Sequence, residues 1–187
     1  MSLHADALAL LRGWPAPDER QERLRQEYVA HLAAHPDGLR RDCVPDHLTA
    51  SVLVLSADHA RALLTLHAKA QEWFQLGGHC EPTDGTLGGA ALREATEESG
   101  IGGLRLDPQP VQLDVHEVPF CHPGSGTRHL DVRFVAVAPP GAGHAVSEES
   151  LALRWWPVDA LPGADAGLSR LAALAVRRVQ STSSAAI

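Results

Sequence analysis

The sequence has few cysteines and no long apolar segment. Its three cysteines, Cys43, Cys80 and Cys121, are odd in number and widely spaced, without a C-x-x-C pair. We therefore expect reduced thiols and neither a disulfide framework nor a zinc site. No apolar run approaches the length of a membrane span, and the N-terminus lacks the long apolar core of a signal peptide. The prediction is a cytoplasmic protein without a membrane partner.

Positive charge is also scarce. The chain has 16 Lys and Arg residues against 23 Asp and Glu residues, which gives a net charge of −7. Because proteins hold phosphate backbones through basic patches, nucleic acid is not an expected partner. A small phosphorylated ligand held through a metal ion remains compatible with this charge. With 187 residues, 44% of them hydrophobic, the chain is long enough for one soluble domain with an appendage.

The first quarter of the chain differs in pattern from the rest. Helical spacing is evident over residues 5–11 and 17–35, with prolines and glycines at their ends. Beyond it the apolar period becomes that of strands. We predict a helical appendage over residues 1–46, a main domain over residues 47–180 and a flexible tail over residues 181–187. The appendage could pack on the main domain or form a lid or a dimer contact, and packing is favoured.

The main domain alternates strands with few helices. The predicted strands cover residues 47–55, 62–67, 73–76, 111–119, 129–138 and 151–157. One helix lies between the third and fourth strands, and another ends the domain over residues 165–179. This order predicts an α/β fold, an α/β/α sandwich in which helices cover both faces of a mixed sheet.

Three glutamates define the internal helix, which we call the glutamate helix. Glu94, Glu97 and Glu98 stand at i, i+3 and i+4, so their carboxylates project from one face and repel each other. Arg93 can neutralise only one of them. Carboxylate oxygens without thiolates or ordered histidines favour a hard cation, Mg²⁺ or Mn²⁺. Gly100 is a natural left-handed end for this helix.

The stretch from Gly78 to Ile101 resembles the Nudix box, G-x5-E-x7-R-E-U-x-E-E-x-G-U, where U is aliphatic. Its second half, from Arg93 onward, matches in register, whereas Asp84 replaces the first glutamate and eight residues, not seven, separate it from Arg93. The resemblance to Nudix (MutT-like) hydrolases covers residues 47–180. It implies the same sandwich fold and the hydrolysis of a nucleoside diphosphate linked to another moiety, with Mg²⁺ (or Mn²⁺) as cofactor.

Several residue roles follow from this resemblance. The metal ligands would be Glu94, Glu97, Glu98 and the carbonyl of Gly77, and Arg93 would orient a glutamate. The general base would be Glu148 or Glu149, which precede a strand; an exposed acidic turn is the other interpretation of that pair. Glu94 is the remaining candidate for the base.

Alternation along the strand of residues 129–138 puts three polar residues, His129, Asp131 and Arg133, on one face. That face could line the substrate cleft or meet solvent. A lone histidine such as His79, beside the glycine pair, more often makes a hydrogen bond in a loop than a metal bond.

Two other functions share this fold. Isopentenyl diphosphate isomerases use a cysteine and a histidine-bearing metal site, and Cys121 with the scattered histidines gives that idea some support. A nucleotide-binding sensor that has lost turnover is the second alternative, although such modules are expected to lose metal ligands. The expected partner is a small phosphorylated compound, such as a nucleotide derivative. Homodimerisation is also expected, because an appended helix offers a contact.

Overall fold

A computed structural model describes residues 2–145, 150–163 and 166–184 of the chain. This part of the chain forms four helices, α1 (Leu3–Gly13), α2 (Glu19–Ala34), α3 (Leu87–Ser99) and α4 (Ala166–Ser184). It also forms eight strands, β1 (Asp46–Leu55), β2 (Arg61–His67), β3 (Trp73–Phe74), β4 (Leu76–His79), β5 (Arg105–Leu106), β6 (Gln112–Glu117), β7 (Arg128–Val137) and β8 (Ser150–Pro157). None of these helices has both the length and the apolar character to cross a membrane.

Strand β1 is the centre of a mixed sheet. On one side it runs parallel to β7 over its whole length. On the other side its middle, residues 49–52, pairs with β4 and its last two residues pair with β2, both antiparallel. Strands β5 and β6 pair with β7, while β3 and β8 pair with β2. Strand β4, which precedes the glutamate helix, is therefore hydrogen-bonded to the middle of β1.

Helices cover both faces of the sheet, which confirms the predicted α/β/α sandwich. One apolar core lies between the sheet and the helices α1, α2 and α3, and includes Leu48, Ala50 and Val52 of β1. The second lies under α4 and includes Leu53 and Leu55 of the same strand. Since residues of opposite parity along β1 reach the two cores, the strand is apolar on both faces in its second half.

The helical appendage packs on the main domain, as favoured from the sequence. Tyr28 and Leu32 of α2 are fully buried in the first core. The Tyr28 hydroxyl donates to the carbonyl of Asp114 at 2.6 Å. The carboxamide of Gln21 donates to the carbonyl of Leu113 at 2.9 Å and accepts from its N–H at 2.6 Å. The two helices therefore complete the core and hold the edge of β6.

Some predicted boundaries were wrong. The strand predicted over residues 73–76 is two strands, and Gly77 and Gly78 lie inside β4 instead of following a strand. Residues 181–184, expected in the flexible tail, continue α4. The side chains of Ser181 and Thr182 are compatible with the longer helix. Their hydroxyls donate to the carbonyl of Arg178, one turn back, at 2.8 and 2.9 Å.

Candidate active site

The glutamate helix, α3, has a specific signal at each end. The Thr86 side chain accepts from the Gly89 N–H at 3.0 Å, which caps the N-terminus. The Asp6 carboxylate of α1 is a second acceptor at this end of the helix, and it accepts from the Leu87 N–H at 2.8 Å. At the other end Gly100 adopts φ 66°, the left-handed conformation predicted for it. These contacts fix where the helix starts and stops, and hence which way its glutamates face.

Two glycines of β4 bring backbone against these glutamates. Gly77 has φ 149°, and a Cβ on it would lie 2.5 Å from the Cα of Ser51, so only glycine fits here without a shift. Its N–H donates to Glu98 Oε2 at 2.9 Å. A Cβ on Gly78 would lie 2.9 Å from the Glu94 carboxylate. The space beside Gly77 is therefore occupied by β1, and the space beside Gly78 by the Glu94 carboxylate.

Arg93 connects the helix to the preceding loop. Its Nε and Nη2 bind the two oxygens of Asp84, each at 3.1 Å, and Nη2 also donates to the carbonyl of His79 at 3.0 Å. Its Nη1 lies 3.1 Å from Glu94 and 3.0 Å from Glu97. The guanidinium fork thus holds the acid that replaces the first glutamate of the box, while its remaining nitrogen orients two glutamates.

The donor set fits a hard divalent cation. The Arg93 guanidinium faces three carboxylates, those of Asp84, Glu94 and Glu97. The carboxylate of Glu98 adds a fourth, which accepts from the Gly77 N–H. Negative charge therefore exceeds positive charge at this point, and carboxylate oxygens are the ligands that Mg²⁺ and Mn²⁺ prefer. The residues that could hold such an ion are Glu94, Glu97, Glu98 and the carbonyl of Gly77.

The two candidate bases, Glu148 and Glu149, lie outside the described residues. The segment that precedes them reaches the C-terminal end of α3, because the Ala145 N–H donates to the carbonyl of Ser99 at 2.9 Å. Strand β8 begins immediately after them, at Ser150. The prediction that one of these acids is the base remains a prediction.

Asp131 and Arg133 lie together in the sheet, and the interpretation that they meet solvent is wrong. They are 3% and 4% exposed, and Arg133 Nε donates to Asp131 at 2.9 Å. Ser51 also donates to Asp131, at 2.8 Å. Although burial alone would raise the pKa of Asp131, the charge of Arg133 holds it below its usual value. Because Ser51 pairs with both Gly77 and Arg133, only strand β1 separates this ion pair from Gly77, whose N–H binds Glu98.

His129, the third residue of that face, belongs to a different cluster. Its ligand atom lies within 4.8 Å of those of His47, His79 and Cys121. Sequence reasoning missed this group, since up to 82 residues separate its members. A partial signal was present: His47 and His129 each open a strand on its polar side. Only the parallel register, which pairs the two histidines, brings them together.

Solved structures of similar fold agree with this architecture. A NUDIX family hydrolase from Clostridium perfringens is 22% identical with a TM-score of 0.55, and the match covers 73% of this chain and 97% of that one. The E. coli dihydroneopterin triphosphate pyrophosphohydrolase is 21% identical with a TM-score of 0.57, over 70% and 95% of the two chains. A C. elegans Ap4A hydrolase is 16% identical with a TM-score of 0.56, over 72% and 98%. No curated protein matches the sequence.

A sequence model of the NUDIX domain matches residues 45–175. The matched segment is well over half of the chain and contains the glutamate helix, Arg93 and both glycines of β4. It does not include α1 or α2. The chain therefore belongs to the NUDIX domain family of hydrolases.

Proposed function

We propose that this enzyme hydrolyses a pyrophosphate linkage in a nucleoside diphosphate linked to another moiety, with Mg²⁺ as cofactor and Mn²⁺ as a substitute. The observation that carries the proposal is the convergence of Glu94 and Glu98 on the Gly77–Gly78 backbone. Two carboxylates held against the glycine backbone form an oxygen-lined site, which suits a cation that also contacts phosphate.

Each residue of the site has a separate task in this proposal. Glu94, Glu97, Glu98 and the Gly77 carbonyl hold the ion, which when bound polarises phosphoryl oxygens and lowers the pKa of water. Arg93 keeps Glu94 and Glu97 in place and is itself kept in place by Asp84. The Gly77 N–H holds Glu98 in one orientation. These contacts exist before substrate arrives, so little reorganisation is needed when it binds.

The substrate is a small phosphorylated compound, most simply a nucleotide derivative. We assign its binding to the side of the sheet on which Asp131 and Arg133 lie, because the paired row from Gly77 through Ser51 to Arg133 leads to the backbone that holds Glu98. Two of the similar structures are named for dihydroneopterin triphosphate and Ap4A, which differ widely outside their phosphates. A panel of phosphorylated compounds, scored by phosphate release, would identify the class.

Glu97→Gln and Glu98→Gln test the metal site. Each should lower Mg²⁺-dependent hydrolysis by orders of magnitude while far-UV circular dichroism stays unchanged, because glutamine keeps the shape but loses the charge. Removal of one charge could also raise the melting temperature of the metal-free protein. Glu19→Gln is the control, since Glu19 is almost fully exposed on α2. Near-normal turnover in both site variants would refute the assignment.

The general base is a separate prediction. The glutamates that hold the ion are weakened as bases by its charge, so an acid outside the helix is better suited. Glu148 and Glu149 are adjacent and should point in different directions, so only one should face the cleft. We expect one of Glu148→Gln and Glu149→Gln to lose roughly 10²-fold in turnover and the other little, with Glu149 favoured. Two equally active variants would redirect the search to Glu94.

Product analysis separates the alternatives. An isopentenyl diphosphate isomerase would rearrange an isoprenoid without releasing phosphate, and a nucleotide-binding sensor would bind nucleotides without turnover. The hydrolase is favoured because Arg93 and all three glutamates are retained in register. Homodimerisation and a cytoplasmic location remain predictions, which sedimentation and cell fractionation would test.

A further inference from the structure

Three histidines and a cysteine converge near the start of β1 and β7. His47 is the second residue of β1, His129 is the second residue of β7, His79 ends β4, and Cys121 is in the loop between β6 and β7. Their candidate ligand atoms all lie within 4.8 Å of one another. His47 is fully buried and the others are half-buried. The group differs in chemistry from the glutamates, because its donors are nitrogen and sulfur.

Imidazole nitrogens of the cluster face one another, and not all of them have a hydrogen-bond partner among the described residues. His47 Nδ1 lies 3.0 Å from the carbonyl of Cys43, so this nitrogen carries the proton and Nε2 presents a lone pair to the cluster. That Nε2 lies 3.2 Å from Nε2 of His79. The Nε2 of His129 is buried and has no hydrogen-bond partner among the described residues. A buried polar atom without a partner is costly, and a cation would satisfy it.

The distances agree with a tetrahedral ion. Zn–N bonds of about 2.05 Å and Zn–S bonds of about 2.3 Å at tetrahedral angles place two nitrogens about 3.3 Å apart and a nitrogen and a sulfur about 3.6 Å apart. The two Nε2 atoms of His47 and His79 are 3.2 Å apart. Cys121 Sγ lies 3.6 Å from His79 Nε2 and 3.9 Å from His47 Nε2.

The types of donor atom also favour a transition metal. Imidazole and thiolate donors select zinc and its neighbours in the transition series over Mg²⁺.

We propose that His47, His79, His129 and Cys121 bind a structural zinc ion, distinct from the ion at the glutamates. Four protein ligands close a tetrahedral site and leave no position for substrate. The ion would join β1, β4 and β7 to the β6–β7 loop. Because the His79 carbonyl accepts from Arg93 at 3.0 Å, it would also fix the strand against which the glutamate helix is aligned.

Metal analysis of the purified full chain tests the proposal. We expect one zinc ion per chain that survives dialysis against a weak chelator. In the wild type, replacement of zinc by Co²⁺ should give a sulfur-to-cobalt charge-transfer band and the intense visible bands of a tetrahedral ion. Cys121→Ser should lose the charge-transfer band and most of the zinc. His79→Gln should lose most of the zinc, and the melting temperature of this variant should no longer fall when chelator is added.

Two control variants match these substitutions. Cys80→Ala removes a thiol one residue from His79 that is buried in the apolar core, where burial raises its pKa to about 12. His116→Gln removes a histidine that pairs with Asp114. Both should keep zinc and the cobalt spectrum. Glu98→Gln should also keep them, so failure of this proposal is distinguishable from failure of the proposed hydrolysis. A wild type without transition metal and without a charge-transfer band on Co²⁺ addition overturns the zinc site, as does a Cys121→Ser variant that keeps the band.

Discussion

At the scale of single residues, the candidate active site depends on two glycines, which have no side chain. Gly77 allows β4 to approach β1, and Gly78 leaves room for the Glu94 carboxylate. The Glu94 carboxylate can lie where it does because residue 78 has no Cβ. The two glycines therefore help to set the positions of the Glu94 and Glu98 carboxylates.

Gly78→Ala should damage activity more than stability. The added Cβ would lie 2.9 Å from the Glu94 carboxylate, so that side chain must move, although no left-handed φ strains the backbone. A displacement of about 1 Å in a catalytic group can cost about 10²-fold in rate, and we expect a loss of that order in kcat. Steady-state kinetics and urea unfolding would measure the two effects.

Gly85→Ala is the matched control, because nothing lies within 4 Å of its new Cβ. It should leave turnover close to that of the wild type. Equal turnover of the two alanine variants would show that Glu94 does not need the space at Gly78.

The sequence was sufficient to predict which side chains of the glutamate helix lie together. It was not sufficient to predict which residues of distant strands come together. Glu94, Glu97 and Glu98 share a face because helical spacing is local. The grouping of His47 and His129 depends on the register between two distant strands, which short-range pattern does not reveal. Burial of Asp131 and Arg133 was hidden for the same reason, since alternation shows that they share a face but not what covers it.

At the scale of elements, α1 stabilises the start of the glutamate helix. The first N–H groups of a helix lack partners within it, and the Thr86 side chain serves only one of them, that of Gly89. The Asp6 carboxylate supplies a partner for Leu87, and its charge faces the positive end of the helix dipole. A segment outside the family match thus supports the helix that carries Glu94, Glu97 and Glu98.

Asp6→Ala should destabilise the protein by about 1 kcal/mol, the usual cost of a lost cap, which is about 2–4 °C in a chain of this size. Asp6→Asn keeps the accepting oxygen and should lose less than half as much. Thermal unfolding of both variants would measure the difference. Equal melting temperatures for wild type and Asp6→Ala would show that the contact contributes nothing.

The first residues of β1 and β7 are joined by an ion pair with a pH-dependent contribution. A hydrogen bond from Arg128 lowers the pKa of Asp46 below its usual 3.8. Because the folded-state pKa is the lower one, the unfolded chain takes up the proton first. The stabilisation is therefore complete above pH 3.8 and is lost as the pH falls through the folded-state value.

Asp46→Asn should consequently be less stable than the wild type at neutral pH, and the difference should shrink at about pH 3. Urea unfolding at the two pH values would measure both free energies of unfolding. A difference that stays constant with pH would contradict the assigned pKa.

At the scale of the whole molecule, the N-terminal helices are part of the core. Tyr28 and Leu32 are fully buried, and full burial of such a side chain stabilises a protein by about 1.5–3 kcal/mol. Deletion of residues 1–40 should keep the glutamate helix but expose the apolar face of the sheet. We expect dye binding to exposed apolar surface, a lower melting temperature and self-association in size-exclusion chromatography.

Leu32→Ala is the milder companion of this deletion, with an expected loss of about 2–5 kcal/mol. A truncated protein that is soluble, with unchanged stability and oligomeric state, would show that the segment packs on nothing that matters.

The sandwich could be predicted because the order of strands and helices restricts the layers that can form. Its internal connections could not. Strand β1 divides one edge between β4 and β2, and this division follows from the whole chain's packing. The short strand β5 was missed because two residues, Arg105 and Leu106, carry no periodic signal.

The carboxamide of Gln21 acts as one residue of an additional strand. In the described part of the chain, β6 pairs with a strand only on its β7 side, and Gln21 meets both the N–H and the carbonyl of Leu113 on its free side. Glutamate has the same shape but no hydrogen to donate, so deamidation of this side chain would place two acceptors face to face. A slow chemical change with age would then open a strand edge to pairing with a neighbouring molecule.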